Sequence, residues 1–115
     1  YETALGADEI IVSVSFPVPK KAAYAKFPNP ASRFALVGVL VAQTGSGVRV
    51  AVTGAASAVC RGKPIEDALA KSWTAAAAKA VKVSATDLNS DLHGSPAYRA
   101  HLVSVMAARA VDAAG

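Results

Sequence analysis

Lys26 and Arg33 flank the segment Pro28-Asn29-Pro30, and this short stretch holds the residues best suited to chemistry. Pro28 and Pro30 fix φ, and they push Phe27 and Asn29 away from helical conformations. A connection this stiff, with one cation before it and one after it, is suited to holding positive charge in a set place. The chemistry open to it is recognition of an anionic group, and binding groups concentrate on loops carried by rigid scaffolds. From the residues alone, Lys26 also reads as an ordinary surface lysine at a strand end. Arg33 either steers an anionic partner or pairs with a carboxylate.

Other chemistries lack their residues. There is no Gly-x-Gly-x-x-Gly fingerprint, no Walker loop and no Gly-x-Ser-x-Gly elbow. Gly45 and Gly47 read as turn glycines between two apolar runs. The acids are few and dispersed, so a paired-carboxylate site has no basis. The lone Cys60 reads as a small buried hydrophobe, since a disulfide has no second cysteine. Both histidines lie in one short segment far from Cys60, which gives no zinc-ligand spacing. Tyr98 and His101 share a helix face while Arg99 points elsewhere. The expectation there is structural, with Tyr98 burying its ring and His101 capping or packing. Trp73, the single tryptophan, reads as a core anchor or a contact with a neighbouring subunit.

Several elements must position these groups. Ile10, Val12, Val14 and Phe16 alternate with Ile11, Ser13 and Ser15, which predicts a strand ended by Pro17 and Pro19. Residues 22–26 form a second short strand leading into the proline loop. Residues 34–42 are apolar on both sides and suit a central strand covered on both faces or by a partner. A turn at residues 44–47 leads to a strand carrying Val48, Val50 and Val52, which Gly54 ends or bulges. The period then changes. Pro64, with Glu66 and Asp67 in the first turn, starts a helix through Ile65 and Leu69. Ser72 could cap a second helix over residues 73–82. Residues 84–93 are polar and irregular. Ser95 caps a last helix that begins at Pro96 and carries Tyr98, Leu102, Val105, Met106 and Ala110 as its apolar stripe. Strands followed by helices predict an α+β domain: a three- to four-stranded antiparallel sheet with about three helices on one face.

At 115 residues the chain is read as a single domain, 1–115. Such a chain buries roughly two thirds of its unfolded surface, enough for a core without staples. Apolar residues make up 53% but aromatics only 6%, so the core rests on alanine and valine rather than large rings. The net charge of +4 is scattered rather than gathered with aromatics on one face, which argues against nucleic acid as a partner. No run is long enough for a membrane span, and the first residues lack a secretory pattern. Without an initiator methionine, the chain reads as a piece of a longer polypeptide.

Tyr24-x-Lys26-Phe27, then Ala31-Ser32-Arg33-Phe34-Ala35, resembles the C-terminal domain of the FAD-binding medium subunit of molybdenum hydroxylases, the carbon monoxide dehydrogenase and xanthine dehydrogenase family. Asp91-Leu92-His93-Gly94-Ser95-Pro96-Ala97-Tyr98-Arg99 is similar to that family's entry into its last helix. The resemblance runs over residues 7–110 and rests on the order and spacing of these pieces.

It implies that Lys26 approaches the pyrimidine side of a flavin, and that residues 27–34, with Phe27 and Arg33, wall the flavin edge. Family members often carry acids in this loop. This chain has none from Phe27 to Ala42, which leaves the electron acceptor open. The resemblance also implies preceding FAD-phosphate-binding subdomains that this chain lacks, so the isolated fragment is not expected to hold FAD or to be catalytic alone. A molybdenum-binding large subunit and an iron–sulfur small subunit would be its partners, in the cytoplasm. Electrons would pass from iron–sulfur clusters through FAD to an acceptor, and the loop looks closer to carbon monoxide dehydrogenase than to xanthine dehydrogenase. The alternative is a non-catalytic interaction module whose alanine-faced helices dock a partner protein.

Overall fold

The computed structural model describes residues 3–115; residues 1 and 2 of the expected domain lie outside the described residues. Four strands, β1 (Lys21–Pro28), β2 (Ala35–Thr44), β3 (Gly47–Thr53) and β4 (Cys60–Arg61), are followed by three helices, α1 (Lys63–Lys71), α2 (Ala75–Lys79) and α3 (Pro96–Ala114). The sheet is an antiparallel meander in the order β1-β2-β3-β4. This is the expected α+β architecture.

Alternation sorts the sheet into two faces. Val37, Val39 and Val41 of β2, with Val48, Val50 and Val52 of β3, are buried on the helix side. There α3 packs against β1 and β2, α1 packs against β3, and α2 lies against α3 and α1. Leu102, Val103, Met106, Ala107, Ala110 and Val111 form the buried stripe of α3. Its alanines let the helix backbone come close to the sheet. Val103, rather than Val105, lies fully in this stripe; Val105 is half-buried. The other face of the sheet carries Tyr24, Lys26, Gly38, Leu40, Ala51 and Thr53, following the register of the three strands. No helix covers it.

Local signals explain most element ends. Thr44 Oγ1 accepts from Ser46 N and donates to the Gly47 carbonyl, closing the β2–β3 turn. Gly54 ends β3 at φ +74, where a Cβ would lie 2.2 Å from the Ala35 carbonyl oxygen. Ser95 caps α3 by accepting from Tyr98 N at 3.2 Å, with Pro96 in the first turn.

Four expectations are corrected. Residues 10–16 form no strand and pair with nothing among the described residues, and the fourth strand is the two-residue β4. The second helix is shorter than predicted: Thr74, not Ser72, caps it by accepting from Ala77 N. The chain leaves that helix after Lys79, and the Val81 carbonyl is taken by the Ser104 hydroxyl at 2.7 Å. Val81 and Val83 are β-branched and then alternate inward from Lys82 and Ser84, which favours extended chain over continued helix. Cys60 is exposed, because it opposes Val52 on the short edge strand with no strand beyond it. Tyr98 keeps 42% of its surface exposed, and its ring stands edge-on to Phe27 at the rim of the core. Trp73, half-buried between α1 and α2, packs against the core as an anchor; its Nε1 is buried without a partner among the described residues.

Candidate functional site

The loop between β1 and β2 is clipped by its own hydrogen bonds. Asn29 is buried, and its Oδ1 accepts from Ala31 N at 2.9 Å and Ser32 N at 3.2 Å. Its backbone N–H donates to the Phe34 carbonyl at 2.8 Å, and Arg33 N donates back to the Asn29 carbonyl at 2.9 Å. Arg33 adopts φ +64, a left-handed conformation uncommon for a side chain of its size. The register shifts between Phe27 and Pro28, which bends the chain into the loop.

Lys26 lies opposite Gly38, on the uncovered face of the sheet. Its ammonium donates to the Arg33 carbonyl at 3.1 Å, so the lysine spans the mouth of the loop. An ammonium has three N–H donors; one is used here, and the side chain is exposed. Beside it, the Tyr24 hydroxyl meets Thr53 Oγ1 at 2.9 Å. That bond crosses over Gly38, where a Cβ would stand 2.0 Å from the Tyr24 oxygen. Only glycine leaves room for the bridge.

The three expected site residues thus divide. Lys26 and Arg33 are brought together, through side chain and backbone carbonyl. Phe27, the next residue along β1, turns to the helix side, with its ring centroid 6.5 Å from that of Tyr98 and the planes at 88°. Phe34, at the end of the loop, is exposed. The assembly is a largely apolar sheet face edged by a held cation and a hydroxyl pair, and farther along it Phe16, Pro17 and Pro19 line a pocket with Ala22, Leu40 and Ala42. It can receive the polar, electron-rich edge of a planar group. It carries no nucleophile–base pair, and no cluster of metal-ligating side chains occurs among the described residues.

Two buried ionic groups were not foreseen. Arg99 is buried and ties three segments together: Nη1 donates to the carbonyls of Leu36 at 2.9 Å and Gly54 at 3.2 Å, and Nη2 to Asp91 at 2.7 Å. Hydrogen bonding from His93 N, joined by Arg99 and opposed by desolvation, holds the Asp91 carboxyl below its ordinary range. Glu66, on α1, accepts from Val50 N at 2.9 Å and from Arg61 Nε at 3.0 Å. Burial pushes the Glu66 carboxyl up, but hydrogen bonds from Arg61 and Val50 outweigh it, and the group sits below its ordinary value. One signal was available: once Ser95 and Pro96 set the phase of α3, Arg99 falls three residues before Leu102 and four before Val103, on the buried face. Nothing comparable marks Glu66.

The family model for the CO dehydrogenase flavoprotein C-terminal domain matches residues 22–114. The chain belongs to that family. The match runs from the second residue of β1 to the last of α3, so the sheet, the Lys26 loop and all three helices lie inside it. The chain is also similar to the medium subunit of nicotine 6-hydroxylase from Paenarthrobacter nicotinovorans, at 34% identity over 125 aligned residues. That alignment covers all of this chain but 44% of the relative, so the chain spans less than half the length of the curated protein it matches. The expected resemblance is borne out at the level of the family and of a medium subunit.

Proposed function

We propose that this chain is the C-terminal domain of the FAD-binding medium subunit of a carbon monoxide dehydrogenase-type molybdenum hydroxylase, and that its Lys26 loop walls the flavin. The observation that carries the reading is the placement of Lys26: a cation tied to the Arg33 carbonyl, with unused donors, on a sheet face that no helix covers.

The residues fit one end of FAD and not the other. A lysine beside paired hydroxyls suits a carbonyl and ring nitrogen that gain negative charge on reduction. The chain has no glycine-rich loop to cradle a pyrophosphate, which the rest of such a subunit would supply. When bound, FAD carries electrons between the iron–sulfur clusters of a small subunit and an external acceptor. In this reading Lys26 orients the ring's C2-carbonyl edge and favours its reduced form. Asn29 keeps the loop rigid, Phe27 anchors it from the helix side, and Arg33 sets the charge that an acceptor meets. The substrate would be oxidised on a molybdenum-binding large subunit, and the assembly would be cytoplasmic.

Lys26→Met in the flavin-loaded subunit tests this. Methionine keeps an apolar stem of similar length and removes the charge. A hydrogen bond to a charged group is worth about 1.5–3 kcal/mol. Solvent screening at an exposed lysine cuts this to about 1 kcal/mol, or roughly 20 mV on a two-electron couple. The expected outcome of a redox titration is a lower potential with flavin occupancy preserved by absorbance. An unshifted potential would reduce Lys26 to a surface lysine.

A further inference from the structure

The segment before β1 is the part of the molecule least explained by its own fold. Ile10, Val12, Val14 and Phe16 are 82%, 90%, 77% and 77% exposed, and Ile11 on the opposite side is 66% exposed. Among the described residues, 10–16 make no backbone hydrogen bond to the rest of the structure; the flanking bonds are Glu9 N to the Gly6 carbonyl and Lys20 N to the Gln43 carbonyl. Yet the sequence alternates much as a half-buried strand does: four large apolar residues on one side, and Ile11, Ser13 and Ser15 on the other. A run of this kind has the side chains of a sheet and lacks the sheet.

Its own sheet is not the missing partner. The free edge of β1 begins right after the segment, but Pro17 and Pro19 hold the connection extended and prevent the tight reversal that a hairpin along β1 needs. The chain's similarity to the nicotine 6-hydroxylase medium subunit includes this segment, whereas the match to the C-terminal domain begins only at residue 22. The segment therefore belongs to the medium-subunit sequence while standing outside the domain that follows. More than half of that relative lies beyond the aligned part.

We infer that residues 10–16 form a β-strand that joins the edge of a sheet in the remainder of a medium subunit, stitching the C-terminal domain to the part that would hold the FAD phosphates. The inference rests on the medium-subunit reading above. Main-chain hydrogen bonds give such a strand its affinity, and the Ile10, Val12, Val14 and Phe16 face gives it its register. Ser13 and Ser15, with Ile11 at the start of the strand, face outward, as on a sheet with one mostly solvated side. Pro17-Val18-Pro19 then acts as a short stiff spacer between the docked strand and β1.

Hydrogen exchange on the purified flavin-loaded assembly tests it, with the exposed residues 57–59 of the same chain as an internal unprotected reference. Amides of residues 10–16 should exchange at least about a hundredfold more slowly than that reference. Val12→Pro removes one donor from the ladder and should abolish this protection while β2 and β3 stay protected. Matching rates at 10–16 and 57–59 in an assembly that carries flavin would overturn the strand and leave the subunit reading standing. Protection that appears in the 115-residue chain alone, together with a dimeric mass in sedimentation, would overturn the assigned partner in favour of a second copy. Failure to find flavin or a longer subunit would instead remove the reading on which the partner rests.

Discussion

Glu66 shows what one buried carboxylate does in this molecule. It receives the Val50 amide and the Arg61 guanidinium, so α1, β3 and β4 meet on one side chain. Removing one partner of a buried ion pair costs about 3–5 kcal/mol. Arg61 is largely exposed and can rehydrate, which puts Glu66→Gln near the low end, about 3 kcal/mol in a denaturant titration. The pH dependence has a definite sign. The folded-state pKa of Glu66 lies below its ordinary value of 4.5, so its stabilisation is complete above that value and is lost as pH falls through the lowered one. Stability should decline below about pH 4.5, and Glu66→Gln should flatten that decline; an acid limb identical in both proteins would contradict it. Asp91, also lowered, adds to the same limb. At this scale the sequence was half legible. Lys26 and Arg33 stood out because prolines fix the loop between them. Glu66 was read as an ordinary first-turn acid, since burial depends on where β3 and β4 run, which local spacing does not encode.

Among the elements, α3 is the most dependent on its first turn. Ser95 supplies the capping oxygen, and Arg99 one turn later fastens the helix start to Leu36 of β2, to Gly54 just after β3 and to Asp91. Ser95→Ala should destabilise the fold by about 1 kcal/mol with an unchanged m-value. An unchanged midpoint would show that the Arg99 contacts alone hold the helix start. The elements read correctly from sequence had punctuation at one end or both: β1 before its prolines, β2 and β3 around their glycine turn, α1 behind Gly62 and Pro64, and α3 behind Ser-Pro. Those misread had a pattern without a partner. Residues 10–16 alternate like a strand, but alternation reports which side chains need burial, not whether a neighbouring strand is present. α2 was drawn too long because alanine propensity says nothing about Ser104 capturing the Val81 carbonyl. β4 has two residues, too few to show any period.

For the molecule as a whole, the sheet divides labour. One face is sealed by α1 and α3, with α2 packed against those two helices, and the other is left to Tyr24, Lys26, Leu40 and Thr53. That second face offers a cation and, apart from it, a pocket lined by Phe16, Pro17, Pro19, Leu40 and Ala42, but nothing that wraps a cofactor beside Lys26. Tight binding requires burying most of a cofactor's surface in a concave site. The 115-residue chain should therefore show no micromolar affinity for FAD in isothermal calorimetry. Heats that fit a micromolar constant would mean that the flavin is held elsewhere on the chain. The α+β class, the sheet and the single helical layer were legible because strands precede helices in the sequence. The open face was not, because apolar residues on both sides of β2 look alike whether a helix, a ligand or another polypeptide covers them.

Trp73 gives the protein an optical handle. It is the single tryptophan, wedged between α1 and α2 with its indole nitrogen shut away from solvent. α1 leans on β3, at a distance in the sheet order from β1 and its loop. Emission from one fluorophore in an apolar setting should be blue-shifted, and should move to the red in a single step as the helical layer melts. Lys26→Met should leave the native spectrum unchanged, whereas Glu66→Gln should shift the melting curve recorded through it. A red-shifted native spectrum would place the indole in water and the α1–α2 joint ajar. Folding can thus be followed by light from one side of the sheet while a side chain is altered on the other.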